Sequence, residues 1–197
     1  IFHFLPLMII SISICFNCVQ AFSIFGKKKE RLGIIDNLGG DFKLIGPDET
    51  EISTKDFRGK VLLINFGYTF CPDVCPMTLS HLNQVMIELG EESEGVQVLF
   101  ISIDPDRDTP EKLKNYVPYF NSTFIGLTGS KNDISEVANK YGIFFFKQEV
   151  ESEAGYFMAH MEGVFLVDQK GRLRGRYKTN KGLKKLLSDI KWILEYE

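Results

Sequence analysis

A run of apolar character, Val61-Leu-Leu-Ile-Asn-Phe, lies between Gly59-Lys60 and Gly67, and it restricts the folds open to this chain more than any other feature. Short unbroken runs of this kind belong to strands buried on both faces, which need covering layers above and below. Directly after it, Met77, Leu79, Leu82, Val85, Met86 and Leu89 recur at helical spacing until Gly90 can stop them. A second such run, Val96-Gln-Val-Leu-Phe-Ile-Ser-Ile, leads into Asp104-Pro-Asp-Arg-Asp-Thr-Pro110. There Thr109 as N-cap, Pro110 at the first helical position and Glu111 in the first turn announce another helix. Residues 124–127 suit a short strand, and 134–141 a helix with Gly142 behind it. Gly163-Val-Phe-Leu-Val and Arg172-Leu-Arg-Gly-Arg-Tyr, joined through residues 168–171, read as a hairpin. A smaller hairpin is expected over 41–52, turning at Gly46-Pro-Asp48, and the Leu and Ile residues between 183 and 194 mark an amphipathic final helix. Strands and helices alternate early and a hairpin comes late, so the fold class is α/β, a mixed central sheet flanked by helices.

The N-terminal segment is of another kind. Residues 1–25 carry no Lys, Arg, Asp or Glu and are expected to be a signal peptide or a transmembrane anchor. Val19-Gln-Ala21 offers small or modest residues at the spacing a secretory cleavage site uses. Lys27, Lys28, Lys29 and Arg31 pull the other way, because positive charge favours the cytoplasmic side. The length and lack of charge before them weigh more, and predict an exported or tethered protein on the extracytoplasmic face of a membrane. Residues 26–37 read as a linker and 38–197 as one domain, for which 44% hydrophobic residues and seventeen Phe supply ample core. A net charge of -3 leaves no basic field to attract a nucleic-acid backbone, which excludes that class of partner.

Cys15 and Cys18 fall in the leader, so the domain holds only Cys71 and Cys75 and has no disulfide framework. These two lie in Cys71-Pro-Asp-Val-Cys75-Pro76, where the buried strand gives way to a helix. Unpaired N–H groups and the positive end of the helix dipole favour thiolate over thiol there, raising nucleophilicity and metal affinity together. Helical geometry from about Pro72 would set both cysteines on one face, close enough for a disulfide or a shared metal ion. Taken alone, the pair fits redox exchange and metal binding equally, and a third residue must decide.

Of three histidines, His3 is in the leader, His81 reads as an ordinary position between Leu79 and Leu82, and His160 stands just before the strand at 163–167. Two thiolates and an imidazole make a soft, three-coordinate set suited to Cu(I), which can also hold Cu(II) with an added ligand. Structural zinc takes four ligands, and the domain offers no obvious fourth. The acids and prolines of 104–110 are read as shaping a turn and capping a helix, without chemistry, and Asp73 as solvated.

Cys71-Pro-Asp-Val-Cys75-Pro76, followed by Phe100-Ile-Ser-Ile-Asp-Pro-Asp-Arg-Asp-Thr-Pro110 and a later lone histidine ahead of a strand, resembles the SCO/SenC family of copper chaperones. The resemblance implies a thioredoxin-like fold tethered by an N-terminal helix, with copper held by Cys71, Cys75 and His160. It further implies assistance to the dinuclear copper centre of cytochrome c oxidase subunit II, by copper delivery or by cysteine reduction, with copper donor proteins as further partners. The location implied is the periplasm, or the mitochondrial intermembrane space in a eukaryote, and the protein is not expected to be a conventional enzyme. One departure stands out. The family commonly places Asp before the histidine and Ser after it, whereas this chain reads Ala159-His160-Met161, which removes a carboxylate that would support the imidazole. Met161 is expected to be a packing residue.

Two rival readings use the same dithiol. A thiol-disulfide oxidoreductase or peroxiredoxin-like enzyme is weakened by three residues between the cysteines instead of two, and by the absence of any proline after Pro118, where a loop holding His160 is expected to face the cysteines. A redox sensor that switches partners on oxidation has no specific feature in its favour.

Overall fold

The computed structural model describes residues 32–151, 155–178 and 182–196. The expected leader at 1–25, with His3, Cys15 and Cys18, and the first half of the expected linker, 26–31, lie outside them. Among the described residues no helix is long and apolar enough to cross a membrane. One compact unit spans Ile34–Glu197.

A hairpin of β1 (Lys43–Ile45) and β2 (Glu51–Ser53) opens that unit and is followed by β3 (Val61–Gly67), α1 (Val74–Leu89), β4 (Val96–Ser102), α2 (Pro110–Tyr116), β5 (Ile125–Leu127) and α3 (Lys131–Lys140). Then come β6 (Phe145–Glu149), β7 (Tyr156–His160), β8 (Val164–Val167), β9 (Leu173–Tyr177) and α4 (Leu183–Tyr196). Five strands form the main sheet in the order β5-β4-β3-β8-β9. β3, β4 and β5 run parallel, and β8 and β9 are antiparallel to their neighbours. The sheet is therefore mixed, as the alternation of elements predicts.

β3 occupies the centre with all its residues buried, which is why it can be apolar on both faces. The rings of Phe66, Tyr141 and Phe165 meet edge-on or tilted, joining β3, β8 and the C-cap of α3 in one aromatic cluster. Local signals set the helix starts. Thr109 accepts the Lys112 amide ahead of α2, and Ser130 with Asp133 forms a capping box ahead of α3.

The structure departs from the sequence reading in several places, and α3 for one starts three residues earlier than expected, at Lys131. Met77, counted in the apolar stripe of α1, is exposed, and the buried stripe instead includes Cys75 and Thr78. The loop expected between α3 and β8 contains a two-stranded ribbon, β6-β7, paired from Phe145 opposite His160 to Glu149 opposite Tyr156. His160 thus closes a strand. The ribbon escaped notice because β6 is almost wholly exposed and β7 half-buried, so neither carries the alternating pattern that a half-buried strand writes into sequence. A further departure, at the start of α1, reshapes the cysteine site.

Candidate metal centre

β3 ends at Gly67, and a turn in which the Cys71 amide donates to the Tyr68 carbonyl at 3.2 Å brings the chain to the cysteines. Gly67 is there because nothing larger fits. An added Cβ would lie 2.9 Å from Cys75 Sγ and 2.7 Å from the Phe100 ring.

α1 begins at Val74, so Cys71 precedes the helix and Cys75 lies in its first turn. Pro76 explains the late start. In a helix begun at Pro72, Pro76 would remove an interior hydrogen bond and clash with a carbonyl, whereas in the first turn its missing N–H costs nothing. The cysteines therefore do not share a helical face as expected. Asp73, exposed and at the N-cap, makes no side-chain cap bond. Cys71 Sγ takes that place, accepting the Cys75 amide at 3.4 Å.

The two sulfurs are polarised in opposite senses. Hydrogen bonding from the Cys75 thiol, opposed by burial and aided by the amides of Asp73 and Cys75 and by His160, lowers Cys71 to about 5. Cys75, 2% exposed, is pushed up by the same bond to Cys71 and by burial. One sulfur is a ready thiolate at a helix N-terminus and the other a buried thiol behind it.

His160 reaches this pair from the end of β7, with Nε2 4.0 Å from Cys75 Sγ and Nδ1 3.3 Å from the Met161 carbonyl oxygen. An imidazole that donates from Nδ1 to a carbonyl keeps the Nε2 lone pair for a metal. Sulfur and nitrogen ligands at about 2.3 and 2.0 Å from one ion stand roughly 3.7 Å apart in a trigonal set, so these atoms need little adjustment. Among the described residues no group of three or more His, Cys, Asp and Glu side chains is already gathered closely enough to hold a metal ion. The donor types of Cys71, Cys75 and His160, two sulfurs and an imidazole nitrogen, are nonetheless ones that suit a soft, low-coordinate ion such as Cu(I). The Met161 carbonyl supplies the support that a carboxylate at position 159 would give. Met161 is 42% exposed, which overturns its expected packing role. His81 lies nearly two turns beyond Cys75 on another side of α1, with Nδ1 buried and without a hydrogen-bond partner.

Sequence reasoning missed two neighbours of the site. Tyr68, 3% exposed, sets its ring edge-on to His160 with centroids 6.2 Å apart. Asp108, fully buried, accepts from the Thr69 amide at 2.9 Å, the Thr69 hydroxyl, the Ser102 hydroxyl at 2.7 Å and Lys112 at 3.3 Å. The clue to it is an acid beside an N-cap threonine that the cap itself does not use.

The chain matches the family model described as SCO1/SenC over residues 34–195. It is 32% identical over 155 residues to the SCO2-like protein of Rickettsia felis, covering 78% of this chain and 76% of that one. Arabidopsis thaliana ScoI, solved with copper bound, superposes with a TM-score of 0.74 at 34% identity, over 81% of this chain and 99% of that one. BsSco, described as having a disulfide switch and as a member of the Sco family of cytochrome c oxidase assembly proteins, superposes with a TM-score of 0.66 at 26% identity, over 84% of this chain and 98% of that one.

Proposed function

The chain belongs to the SCO1/SenC family and has its thioredoxin-like fold, and from that footing we propose that it is a copper metallochaperone for cytochrome c oxidase assembly. Cys71, Cys75 and His160 hold copper as cargo, and the dinuclear copper centre of oxidase subunit II receives it from a protein supplied by copper donors. The observation that carries this reading is the meeting, across 85 residues of chain, of His160 Nε2 with a dithiol poised at a helix N-terminus. Residues 1–25 act as leader or anchor and 26–37 as linker, which puts the domain at 38–197 on the extracytoplasmic side of a membrane.

A second reading is favoured by the opposite polarisation of the two thiols. The Cys71 thiolate attacks a partner disulfide, forming a mixed disulfide and releasing one partner thiolate. Cys75 then gives up its proton and attacks Cys71 Sγ, so the partner leaves as a dithiol and Cys71-Cys75 as a disulfide. Both readings employ the same pair, and only the first needs His160 as a metal ligand.

Anaerobic Cu(I) titration of the reduced protein beside Cys71→Ser, Cys75→Ser and His160→Ala separates them. One tight Cu(I) per chain, abolished by either serine and weakened by the alanine, is the expected result. If the protein takes up no tight Cu(I) but reduces disulfides, and His160→Ala retains that activity, the reductase reading replaces it.

A further inference from the structure

The β6-β7 ribbon is not hydrogen-bonded to the main sheet. A two-stranded ribbon is marginal by itself in water, and this one has little core beneath it. A cleft of about 260 Å³, lined by Ile103, Asp104, Ile134, Phe145 and Met158 among others, lies between it and the body. Something other than packing must hold His160 where it stands.

After His160 the chain is fastened by Arg176 Nη2, which donates to the Glu162 carbonyl at 2.6 Å, and by Asn65 Nδ2, which donates to the Gly163 carbonyl at 3.3 Å. Midway along β7 the Met158 backbone is hydrogen-bonded to the Tyr68 hydroxyl, and at the strand's other end the fastening is Arg107. Its Nε donates to Asp104 and its Nη1 to the Tyr156 carbonyl at 3.1 Å. The guanidinium lies 3.6 Å from the centroid of the Tyr156 ring and 4.5 Å from that of Phe70. The Tyr156 hydroxyl returns to Asp104 at 2.8 Å, closing a ring of contacts in which Asp104 is 3% exposed and the Arg107 side chain 15%. Phe70 directly precedes Cys71, and Tyr156 begins the strand that His160 ends. Tyr156, Met158 and His160 share one face of β7, so fixing the first directs the last.

We propose that Arg107 is the positioning residue that clasps the histidine ribbon to the cysteine loop through Asp104, Phe70 and Tyr156, and so sets the reach of His160 to the dithiol, a purpose that rests on the copper reading above. The motif from 104 to 110 is then more than a turn and a cap. Its Asp108 holds the cysteine side through Thr69, and its Arg107 holds the histidine side. A planar guanidinium suits this because one group can donate along its edge and stack on rings with its faces.

The test joins a metal-free measurement to a double-mutant cycle. Amide hydrogen exchange is followed in the reduced, copper-free full chain for the wild type and Arg107→Ala. Exchange is expected to quicken by roughly ten-fold or more in β6 and β7 while the β3 and β4 amides hold their protection. Cu(I) affinity, read by chelator competition, is expected to fall by roughly 10–100-fold in Arg107→Ala, and by no further factor when Arg107→Ala is added to His160→Ala. Equal loss of protection throughout, an unchanged ribbon, or losses that multiply in the double variant each overturn the assignment. A wild type without tight Cu(I) sinks the copper reading, and the exchange data then decide the clasp by themselves. Tyr156→Phe, which removes one hydroxyl, should give the same pattern at smaller size, and it decides the matter if Arg107→Ala does not fold.

Discussion

At the scale of single residues, the site depends on what a few side chains omit as well as on what they supply. Gly67 leaves room for Cys75 Sγ and the Phe100 ring, which both press on the end of β3. Gly67→Ala should therefore cost about 1–3 kcal/mol by overpacking and weaken Cu(I) binding by moving the sulfur. Thermal unfolding and chelator competition would measure the two effects, and a variant unchanged in both would mean the sulfur moves aside freely. Cys71 and Cys75 share a motif yet differ in environment, one partly exposed and lowered to about 5, the other buried and raised. Iodoacetamide at pH 7, followed by mass mapping of the reduced metal-free protein, should modify Cys71 well before Cys75. Equal labelling would contradict the polarisation. Ala159 and Met161, which depart from the family pattern, are accommodated because a backbone carbonyl can orient an imidazole as a carboxylate does.

Among elements, the strand-to-helix junction after β3 and the loop after β4 act as a pair. Gly67 lies opposite Ser102 in the parallel ladder, so the two loops leave the sheet side by side. Asp108 exploits that proximity, gathering Thr69 from one loop and Ser102 from its own around a carboxylate shut away from water. Asp108→Ala strands those donors and the Lys112 ammonium. A loss of about 3–5 kcal/mol is expected in denaturant unfolding, with Asp108→Asn in between because it keeps shape but presents an N–H₂ where donors converge. A loss below about 1 kcal/mol for the alanine would show that water replaces the carboxylate. The ribbon shows the opposite economy, being short of buried apolar surface and held by point contacts at the Tyr156, Met158, Glu162 and Gly163 backbone. None of its fastenings is written locally. Arg107 and Tyr156 are 49 residues apart in the chain.

For the molecule as a whole, the late hairpin is tied by Asp168, whose carboxylate accepts from the Arg172 amide and from the side chains of Arg172 and Arg174. Burial pushes this carboxyl up, but those bonds outweigh it and hold it below the ordinary 3.8. The unfolded chain therefore takes up the proton first as pH falls. The stabilisation is complete above the unfolded value and drains away below about pH 4. Asp168→Asn should flatten the acid limb of a stability-pH curve, whereas an unaltered limb would place the titrating group elsewhere. Much of this molecule is legible in the sequence, because the local signals are strong. A strand apolar on both faces must be central, Thr109 caps a helix with its own neighbours, and a cysteine pair around two prolines marks a strand-to-helix junction. Helix start, sulfur orientation and the ribbon were decided by tertiary structure. Pro76 moves the start of α1 to Val74 only because a β-turn first delivers Cys71, and β6-β7 carries too little buried surface to leave a period behind. Residue types can therefore nominate Cys71, Cys75 and His160 as partners, but their separation is fixed by contacts between distant segments, such as Thr69 to Asp108, 39 residues apart, and Asn65 to Gly163, 98 apart, and those exist only once the sheet has closed.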